Sequence, residues 1–385
     1  MNSTLAPSVR MFRSLEELAY RACEWNTLVQ ECETNTIYQT FEWHASWLSA
    51  FGHRVEPLIL VVEEGEALVG IAPLMCTRRW FWGRVRRVIE FIGTNASGNC
   101  DLIVKRTHPM VRSLLLDWLI DHRELWDALD LMDIPGESGT LEIAQSYFRQ
   151  RGLRTVTRFI YEAPTRILHD HWADWRVTRT PNLRWQRNRL RRQGCCEFER
   201  FATCDAISPF LEEFFELHIR RRQITPMPSV FKDEAYKTFY RNMVRKLAEK
   251  NQIIFYVELL NETPIALGIT LEYANRVIVY QHTFDLDYER FSPGTLLVMH
   301  MLDDAVERGQ GEFDLAAGEQ LYKYRITNHA RSLYALRVFQ HLADYSRMRV
   351  ILGFKDQLSR SPRALALARR MTNRLGIAPQ VNTLR

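Results

Sequence analysis

The chain has 385 residues and a net charge of +5, and 46% of its residues are hydrophobic. This composition is typical of a globular protein, and at ~100–200 residues per domain the length predicts two domains. No apolar run approaches the ~18 residues that a membrane-spanning helix needs, and the N-terminus lacks the apolar segment of a signal peptide. We therefore expect a cytoplasmic protein, and peripheral contact with the inner membrane face stays open.

The cysteines and histidines point away from metal chemistry. The seven cysteines are an odd number without a Cys-x-x-Cys spacing, and the histidines do not follow a zinc-binding pattern. We expect reduced thiols and no metal site.

The two halves of the chain share an order of predicted elements. Residues 57–75 and 252–273 each contain two apolar β-rich runs joined by a short polar turn, which predicts a β-hairpin in each half. A predicted helix precedes each hairpin, at 41–51 and at 233–250. The other matched predictions, first copy before second, are a strand at 88–92 and 277–284, a helix at 109–122 and 293–308, a strand at 128–134 and 312–315, and a final strand at 153–162 and 333–340.

This shared order predicts the α/β class, with a mixed sheet in which a helix joins two parallel strands beside antiparallel ones. We expect each half to be closed by its own final strand. The matched helices should begin at Pro109 and Pro293, since proline suits a first helical turn. A further helix should begin near Pro209 and end in the cations at 220–222, beside His218, where they would stabilise the helix or line an acceptor cleft.

The start of the second matched helix predicts a phosphate site. A strand leads through a short polar loop to Ser292, Pro293 and Gly294, and free amide groups at a helix N-terminus bind phosphate. Gly294 has no Cβ to block a phosphate, and Arg290 can add a charged hydrogen bond. The alternative is an ordinary helix start that is capped by the Ser292 side chain. The first copy, at 105–112, has the proline but no glycine, which indicates a half without the cofactor loop.

Several segments together resemble a known family. The C-terminal half resembles GNAT acyltransferases, and the whole chain resembles the CelD-type, FemAB-like branch of that superfamily. The segments that carry the resemblance are 38–43 (YQTFEW), 92–95 (IGTN), 99–103 (NCDLI), 181–192 (PNLRWQRNRLRR), 284–288 (FDLDY), 292–294 (SPG) and 313–323 (FDLAAGEQLYK).

The resemblance implies two tandem GNAT-like domains. The N-terminal one, at 1–175, would lack the cofactor loop, the second, at 176–345, would hold the acyl-donor site, and a basic helical tail would follow at 346–385. The donor would be acyl-CoA, usually acetyl-CoA, and the acceptor an amine or hydroxyl of a saccharide or an envelope or exopolysaccharide molecule. The loop at 290–295 is poorer in glycine than the usual GNAT loop.

Two other functions stay open. One is a FemAB-like transferase that takes an aminoacyl group from tRNA, the only nucleic acid that we would expect as a partner. The other is a non-catalytic GNAT-like subunit of a polysaccharide biosynthesis complex. The chain has no long uninterrupted heptad pattern, which favours acyl-CoA over tRNA.

The resemblance also assigns site residues. The backbone near Gln281 would polarise the thioester carbonyl, with Arg290, Ser292, Gly294 and Thr295 binding the donor. The candidate catalytic side chains are Asp285 or Asp287 as the base, Tyr288 as the acid for the thiolate, and Lys323 as the oxyanion donor. Asp314 and Tyr322 would bind substrate, and Asp314 could instead pair with Arg325 or Lys323. The alternatives for the aspartates and for Lys323 are turn formation and an exposed surface position.

The basic segment at 176–192 predicts a cationic helix that begins at Pro181, with Leu183 and Leu190 on its apolar face. Arg184 and Arg187 would clamp an anionic substrate or the ribose phosphate of CoA. The alternatives are nucleic-acid binding and an exposed linker helix. A second basic helix near 362–375 should pack on the body or lie on an anionic membrane.

Overall fold

The computed structural model describes residues 6–81, 84–168, 181–225, 228–317 and 321–359. The chain divides into two compact units: unit 1 contains Met1–Tyr161 and Ser332–Arg385, and unit 2 contains Glu162–Arg331. The predicted domain limits at 175/176 and 345/346 stay a prediction. The tail helix near 362–375 lies outside the described residues. No helix in the described ranges is long and apolar enough to cross a membrane.

Thirteen strands and ten α-helices make up the described chain. The strands are β1 (Ser8–Phe12), β2 (Glu56–Glu64), β3 (Ala67–Phe81), β4 (Arg84–Phe91), β5 (Ile103–Val104), β6 (Ala128–Pro135), β7 (Arg154–Ile167), β8 (Cys196–Phe201), β9 (Ile253–Leu260), β10 (Thr263–Tyr273), β11 (Arg276–Phe284), β12 (Glu312–Asp314) and β13 (His329–Phe339). The helices are α1 (Ala22–Glu31), α2 (Phe41–Phe51), α3 (Val111–Asp121), α4 (Gly139–Gln150), α5 (Pro181–Arg191), α6 (Cys204–Gln223), α7 (Glu234–Ala248), α8 (Pro293–Glu307), α9 (Leu321–Ile326) and α10 (Leu342–Ser359).

Each unit contains one copy of the repeated sheet. In unit 1 the strand order is β1-β2-β3-β4-β6-β13, and in unit 2 it is β8-β9-β10-β11-β12-β7. β2, β3 and β4 are antiparallel and β4 is parallel to β6, while β9, β10 and β11 are antiparallel and β11 is parallel to β12. The predicted mixed α/β fold, with the same arrangement in each half, is confirmed.

The expectation that each half is closed by its own final strand is wrong. In unit 2 the strand beside β12 is β7, with Thr165 opposite Asp314. In unit 1 the strand beside β6 is β13, with Leu333 opposite Pro135. A local pattern of β-rich residues predicts that a strand exists but not which strand it pairs with, because pairing depends on the tertiary fold.

Two predicted helix starts also need correction. α3 begins at Val111, two residues after Pro109, whereas α8 does begin at Pro293. α6 begins at Cys204 and carries Pro209 inside it. Proline does not therefore mark the first residue of either helix: Pro109 precedes α3, and Pro209 lies past the first turn of α6, where it removes one helical N–H donor.

Helices cover both faces of the unit 2 sheet. α8 packs on one face so closely that a Cβ on Gly268 of β10 would lie 2.4 Å from Met301 Cε and 3.0 Å from Leu297 Cδ2. On the other face, α6 and α7 contribute buried aromatic rings, with Phe214 and Tyr240 among them. The strand between these two layers, β11, therefore presents alternate side chains to different helices.

Candidate functional site

An opening separates β11 from β12 at the carboxyl end of both strands. The two strands pair only from Arg276 to Ile278, and β11 then continues to Phe284. β12 ends at Asp314, and the amide of Leu315 bonds to the Pro164 carbonyl of β7 instead. Within the described ranges, the edge of β11 beyond Ile278 has no neighbouring strand, so its backbone groups are available to a ligand.

The backbone direction of β11 is set by its pairing with β10. The Asp285 amide donates to the Ile265 carbonyl of β10. Because backbone groups alternate in direction along a strand, the amides of His282 and Phe284 point away from β10 and into the opening. The Arg221 guanidinium donates to the His282 carbonyl from this side, at 3.3 Å. The predicted backbone donor near Gln281 therefore has two specific candidates, the N–H groups of His282 and Phe284.

The first turn of α8 follows this strand after the loop at 285–292. Ser292 has a φ of 57°, and its side chain caps nothing, so the alternative of a serine-capped helix start is wrong. The amides of half-buried Thr295 and of Leu296 both donate to the Ser292 carbonyl. Among the described residues the Gly294 amide has no partner, which leaves one N–H donor at the positive end of the helix dipole.

Gly294 lets helix α8 pack closely on β11. A Cβ there would lie 2.8 Å from Cδ1 of Phe284 and 3.5 Å from Cδ2 of His282. The absence of a side chain thus lets α8 approach β11. The phosphate role that the sequence suggests stays a prediction.

We expect Gly294→Ala to weaken acetyl-CoA binding about tenfold, because the added methyl must displace the Phe284 ring and with it an amide that faces the opening. Calorimetric titration measures the dissociation constant. The control is Gly353→Ala in α10, where a Cβ would meet no described atom within 4 Å and alanine should raise helix stability by up to ~1 kcal/mol. Unchanged binding in both variants would contradict the packing role of Gly294.

The two aspartates after β11 lie in an ion pair. Arg220 contacts Asp287 at 3.0 Å and Asp285 at 3.4 Å, and Asp285 Oδ1 also accepts the Asp287 amide. Tyr288 is half-buried against the apolar cluster of Leu190. Their catalytic roles stay predictions, and in the structure Arg220 occupies the carboxylates that would serve as the base.

Lys323 closes the turn after β12. Its ammonium is buried and donates to the carbonyls of Leu315 at 2.6 Å and Ala317 at 2.9 Å. The Lys323 ammonium thus donates to backbone carbonyls in this structure. Its oxyanion role stays a prediction. Tyr322 lies in α9, and its side chain is outside the described part of the structure.

Asp314, at the end of β12, is buried. It accepts the Ala316 amide at 2.7 Å and pairs with Arg331 at 3.0 Å, so the expected pairing with Arg325 or Lys323 is wrong. Burial raises the pKa of this carboxyl, and Arg331 opposes the rise. Arg331 lies on β13 of the same sheet, and only the folded sheet brings it close to Asp314.

Two half-buried side chains that the sequence did not place in the catalytic set lie on the part of β11 that borders the opening. Gln281 and His282 are both half-buried although they lie inside a sheet. Burial, followed by the charges of Arg221 and Lys323, lowers the pKa of His282 to about 3. A neutral imidazole therefore lies beside two cations. His282 was missed because histidine within a strand is usually a core residue, and its signal was only its position just before the polar loop.

α5 packs against the loop that follows β11. Leu190 is buried with Phe291 and Leu296, and Leu183 packs on the same cluster, which confirms the predicted apolar face. Arg189 lies over the Phe291 ring at 5.2 Å. Arg184 is exposed, and burial lowers the pKa of half-buried Arg187. Arg290 is exposed and lies over the Phe291 ring at 4.8 Å, so cations surround this loop.

In the part of the chain that the structure describes, no group of three or more histidine, cysteine, aspartate or glutamate side chains could hold a metal ion. All seven cysteines are free thiols.

Comparison with known proteins links this geometry to a family. Residues 177–324 match the family model described as an acetyltransferase (GNAT) domain. No curated protein is significantly similar to the chain in sequence. FemX has a TM-score of 0.57 and 10% identity, over 84% of this chain and 96% of FemX.

Two further solved structures share the fold. A conserved protein of unknown function from Bacteroides thetaiotaomicron has a TM-score of 0.55 and 10% identity, over 86% of this chain and 100% of that one. The C-terminal DUF2156 domain of a protein assigned as a lysylphosphatidylglycerol synthetase, from Agrobacterium fabrum, has a TM-score of 0.54 and 12% identity, over 93% and 97%. The match of residues 177–324 supports a GNAT-type N-acyltransferase in this part of the chain, and the solved structures show that the fold is shared.

Proposed function

We propose that unit 2 transfers an acyl group, typically acetyl, from acyl-CoA to an amine or hydroxyl acceptor. The observation that carries this proposal is the parting of β11 from β12 after Ile278, with the amides of His282 and Phe284 turned into the opening. A thioester carbonyl at this edge would receive backbone hydrogen bonds that strengthen as negative charge develops on its oxygen.

The residues around the opening fit a CoA thioester. The free Gly294 amide and the dipole of α8 favour an anionic phosphate next to the loop. Arg189 and Arg290, which both lie over the Phe291 ring, add positive charge there. In the transfer, the acceptor lone pair forms a bond to the carbonyl carbon, the carbon–sulfur bond breaks, the thiolate takes the electron pair, and the acceptor proton passes to water.

The corresponding place in unit 1 contrasts with unit 2. β4 and β6 pair only at Val88 and Ile89, and the chain that follows β4 then bonds to β6 through the Cys100 amide and the Asp133 carbonyl. Trp43 and Ser97 hold this loop with a hydrogen bond of 2.9 Å. This filled gap supports the proposal that only unit 2 binds the donor.

The acceptor that we propose is a saccharide or another envelope-related molecule, and the reaction would take place in the cytoplasm, where acyl-CoA is available. Peripheral contact with the inner membrane face, and an anionic substrate at Arg184 and Arg187, stay predictions. Acyl-CoA is the donor that the GNAT match of residues 177–324 favours.

Titration calorimetry with acetyl-CoA tests the donor. Arg221→Ala should weaken binding about tenfold or more, because Arg221 contacts the His282 carbonyl and lies over the Phe284 ring at 4.3 Å. The matched control is Arg241→Ala, since Arg241 also lies near a ring, that of Phe215, but at 5.7 Å and within exposed ion pairs of α6 and α7.

Saturable binding that Arg221→Ala weakens and Arg241→Ala spares would support the proposal. No binding of acetyl-CoA or a longer acyl-CoA to the wild-type chain would overturn the acyl-CoA donor. The next measurements would then be transfer from aminoacyl-tRNA, with ribonuclease treatment as its control, and co-purification of partner proteins.

A further inference from the structure

Buried hydrogen bonds link His218 of α6 to Ser229 on one side and to Gln281, beside the opening, on the other. His218 is 3% exposed, its Nδ1 lies 2.7 Å from the Ser229 hydroxyl, and its Nε2 lies 3.0 Å from the Gln281 amide nitrogen. The Ser229 hydroxyl also accepts the Phe231 amide at 3.2 Å. The rings of His218 and Phe231 form a T-shaped contact with their centroids 4.9 Å apart.

The identity of the facing atoms determines which group donates in each of these hydrogen bonds. A carboxamide nitrogen only donates, so Gln281 donates to Nε2 and that nitrogen carries no proton. The neutral ring must then hold its proton on Nδ1 and donate it to Ser229. Burial, followed by the charges of Arg222 and Arg221, lowers the pKa of His218 to about 3, which is consistent with a neutral ring.

The carboxamide oxygen of Gln281 is available to accept a hydrogen bond from a ligand. Gln281 is half-buried on the face of β11 that α6 covers, and in the described chain its oxygen has no hydrogen-bond partner and is not sealed from solvent. The neighbouring His282 lies on the opposite face, next to Gly294 of α8. The same short stretch of β11 therefore borders the proposed donor site on its α8 face, and it presents the Gln281 oxygen, a hydrogen-bond acceptor, on its α6 face.

We propose that His218 is a positioning residue, which holds Gln281 so that its carboxamide oxygen accepts a hydrogen bond from the attacking N–H or O–H of the acyl acceptor. This inference rests on the acyl transfer proposed above. It assigns the acceptor to the α6 face of β11 and the donor phosphates to the α8 face. Gln281 takes no proton, and it orients the acceptor lone pair toward the thioester carbon.

Hydroxylamine is a suitable probe acceptor because it is small and uncharged near neutral pH. Its nitrogen forms a bond to the carbonyl carbon, the carbon–sulfur bond breaks, and the products are the hydroxamate and free CoA thiol. Turnover of acetyl-CoA with hydroxylamine, corrected for the uncatalysed reaction, is measured as thiol release.

His218→Phe should lower kcat with hydroxylamine about ten- to a hundredfold and change the KM for acetyl-CoA less than about threefold. His218→Gln places an oxygen acceptor near the former Nε2 and should recover most of kcat. The matched control is His300→Phe on α8, because His300 is half-buried and stacks on Phe198 at 4.3 Å, in a different helix from His218. A merely structural role for His218 would not give this split between kcat and KM.

Wild-type kcat in His218→Phe, or no recovery in His218→Gln, would overturn the inference. If His218→Phe fails to fold, Gln281→Met gives the same test at the other end of the bond. Nitrogen-15 chemical shifts of the His218 ring provide a readout without turnover: a proton on Nδ1 supports the inference, and a proton on Nε2 overturns it, because the Gln281 oxygen would then face His218. Absence of thiol release and of acetyl-CoA binding in the wild type would instead overturn the proposed function.

Discussion

Lys323→Met should lower the free energy of unfolding by about 2–4 kcal/mol and turnover of acetyl-CoA by about a hundredfold. Methionine fits the space but removes the donor to the carbonyls of Leu315 and Ala317, and each unsatisfied buried carbonyl costs about 1–3 kcal/mol. The turn that Lys323 holds follows β12 and leads the chain away from β11. Ala316, within this turn, has a φ of 52°. A shift of this turn would misplace one wall of the opening, and small misplacements cost about a hundredfold in rate.

Urea denaturation and thiol release measure the two effects. Arg325→Met is the matched control, because Arg325 lies in the same short helix and is exposed. It should leave both quantities within experimental error. Loss of turnover at unchanged stability would favour the oxyanion role for Lys323, while unchanged turnover would exclude both roles.

Glu258→Gln should remove a strong pH dependence of stability. Glu258 is buried on β9, its Oε2 has no hydrogen-bond partner among the described residues, and burial raises the pKa of its carboxyl from 4.5 to about 8. The folded chain therefore keeps a proton that the unfolded chain loses above its lower pKa. Stability from this group is complete below about pH 4.5 and falls by about 1.4 kcal/mol per pH unit up to about pH 8.

Glutamine is a neutral mimic of the protonated side chain, so the variant should match the wild type near pH 5 and exceed it by about 3–4 kcal/mol at pH 8. Urea denaturation at the two pH values checks this difference. The exposed Glu249 provides the control, since Glu249→Gln should keep the wild-type pH dependence. Parallel pH profiles for Glu258→Gln and the wild type would show that Glu258 is ionised in the folded chain.

Local patterns in the sequence determined which elements form. The apolar β-rich runs at 57–75 and 252–273, joined in each case by a short polar turn, predicted the two hairpins. The proline and glycine after β11 marked the start of α8 at Pro293, because proline presets the helical φ. The fold class follows from the order of these elements along the chain, and the GNAT resemblance rests on short segments such as 284–288 and 313–323.

The tertiary structure alone decided which residues meet. The local sequence of β7 and β13 does not indicate that each strand pairs with a strand far away in sequence. These pairings bring Arg331 to Asp314. His218 and Gln281 are 63 residues apart and meet only because α6 packs on β11. Sequence periodicity reports the burial of a face, whereas hydrogen-bond partners, free backbone edges and shifted pKa values depend on which elements are neighbours in space.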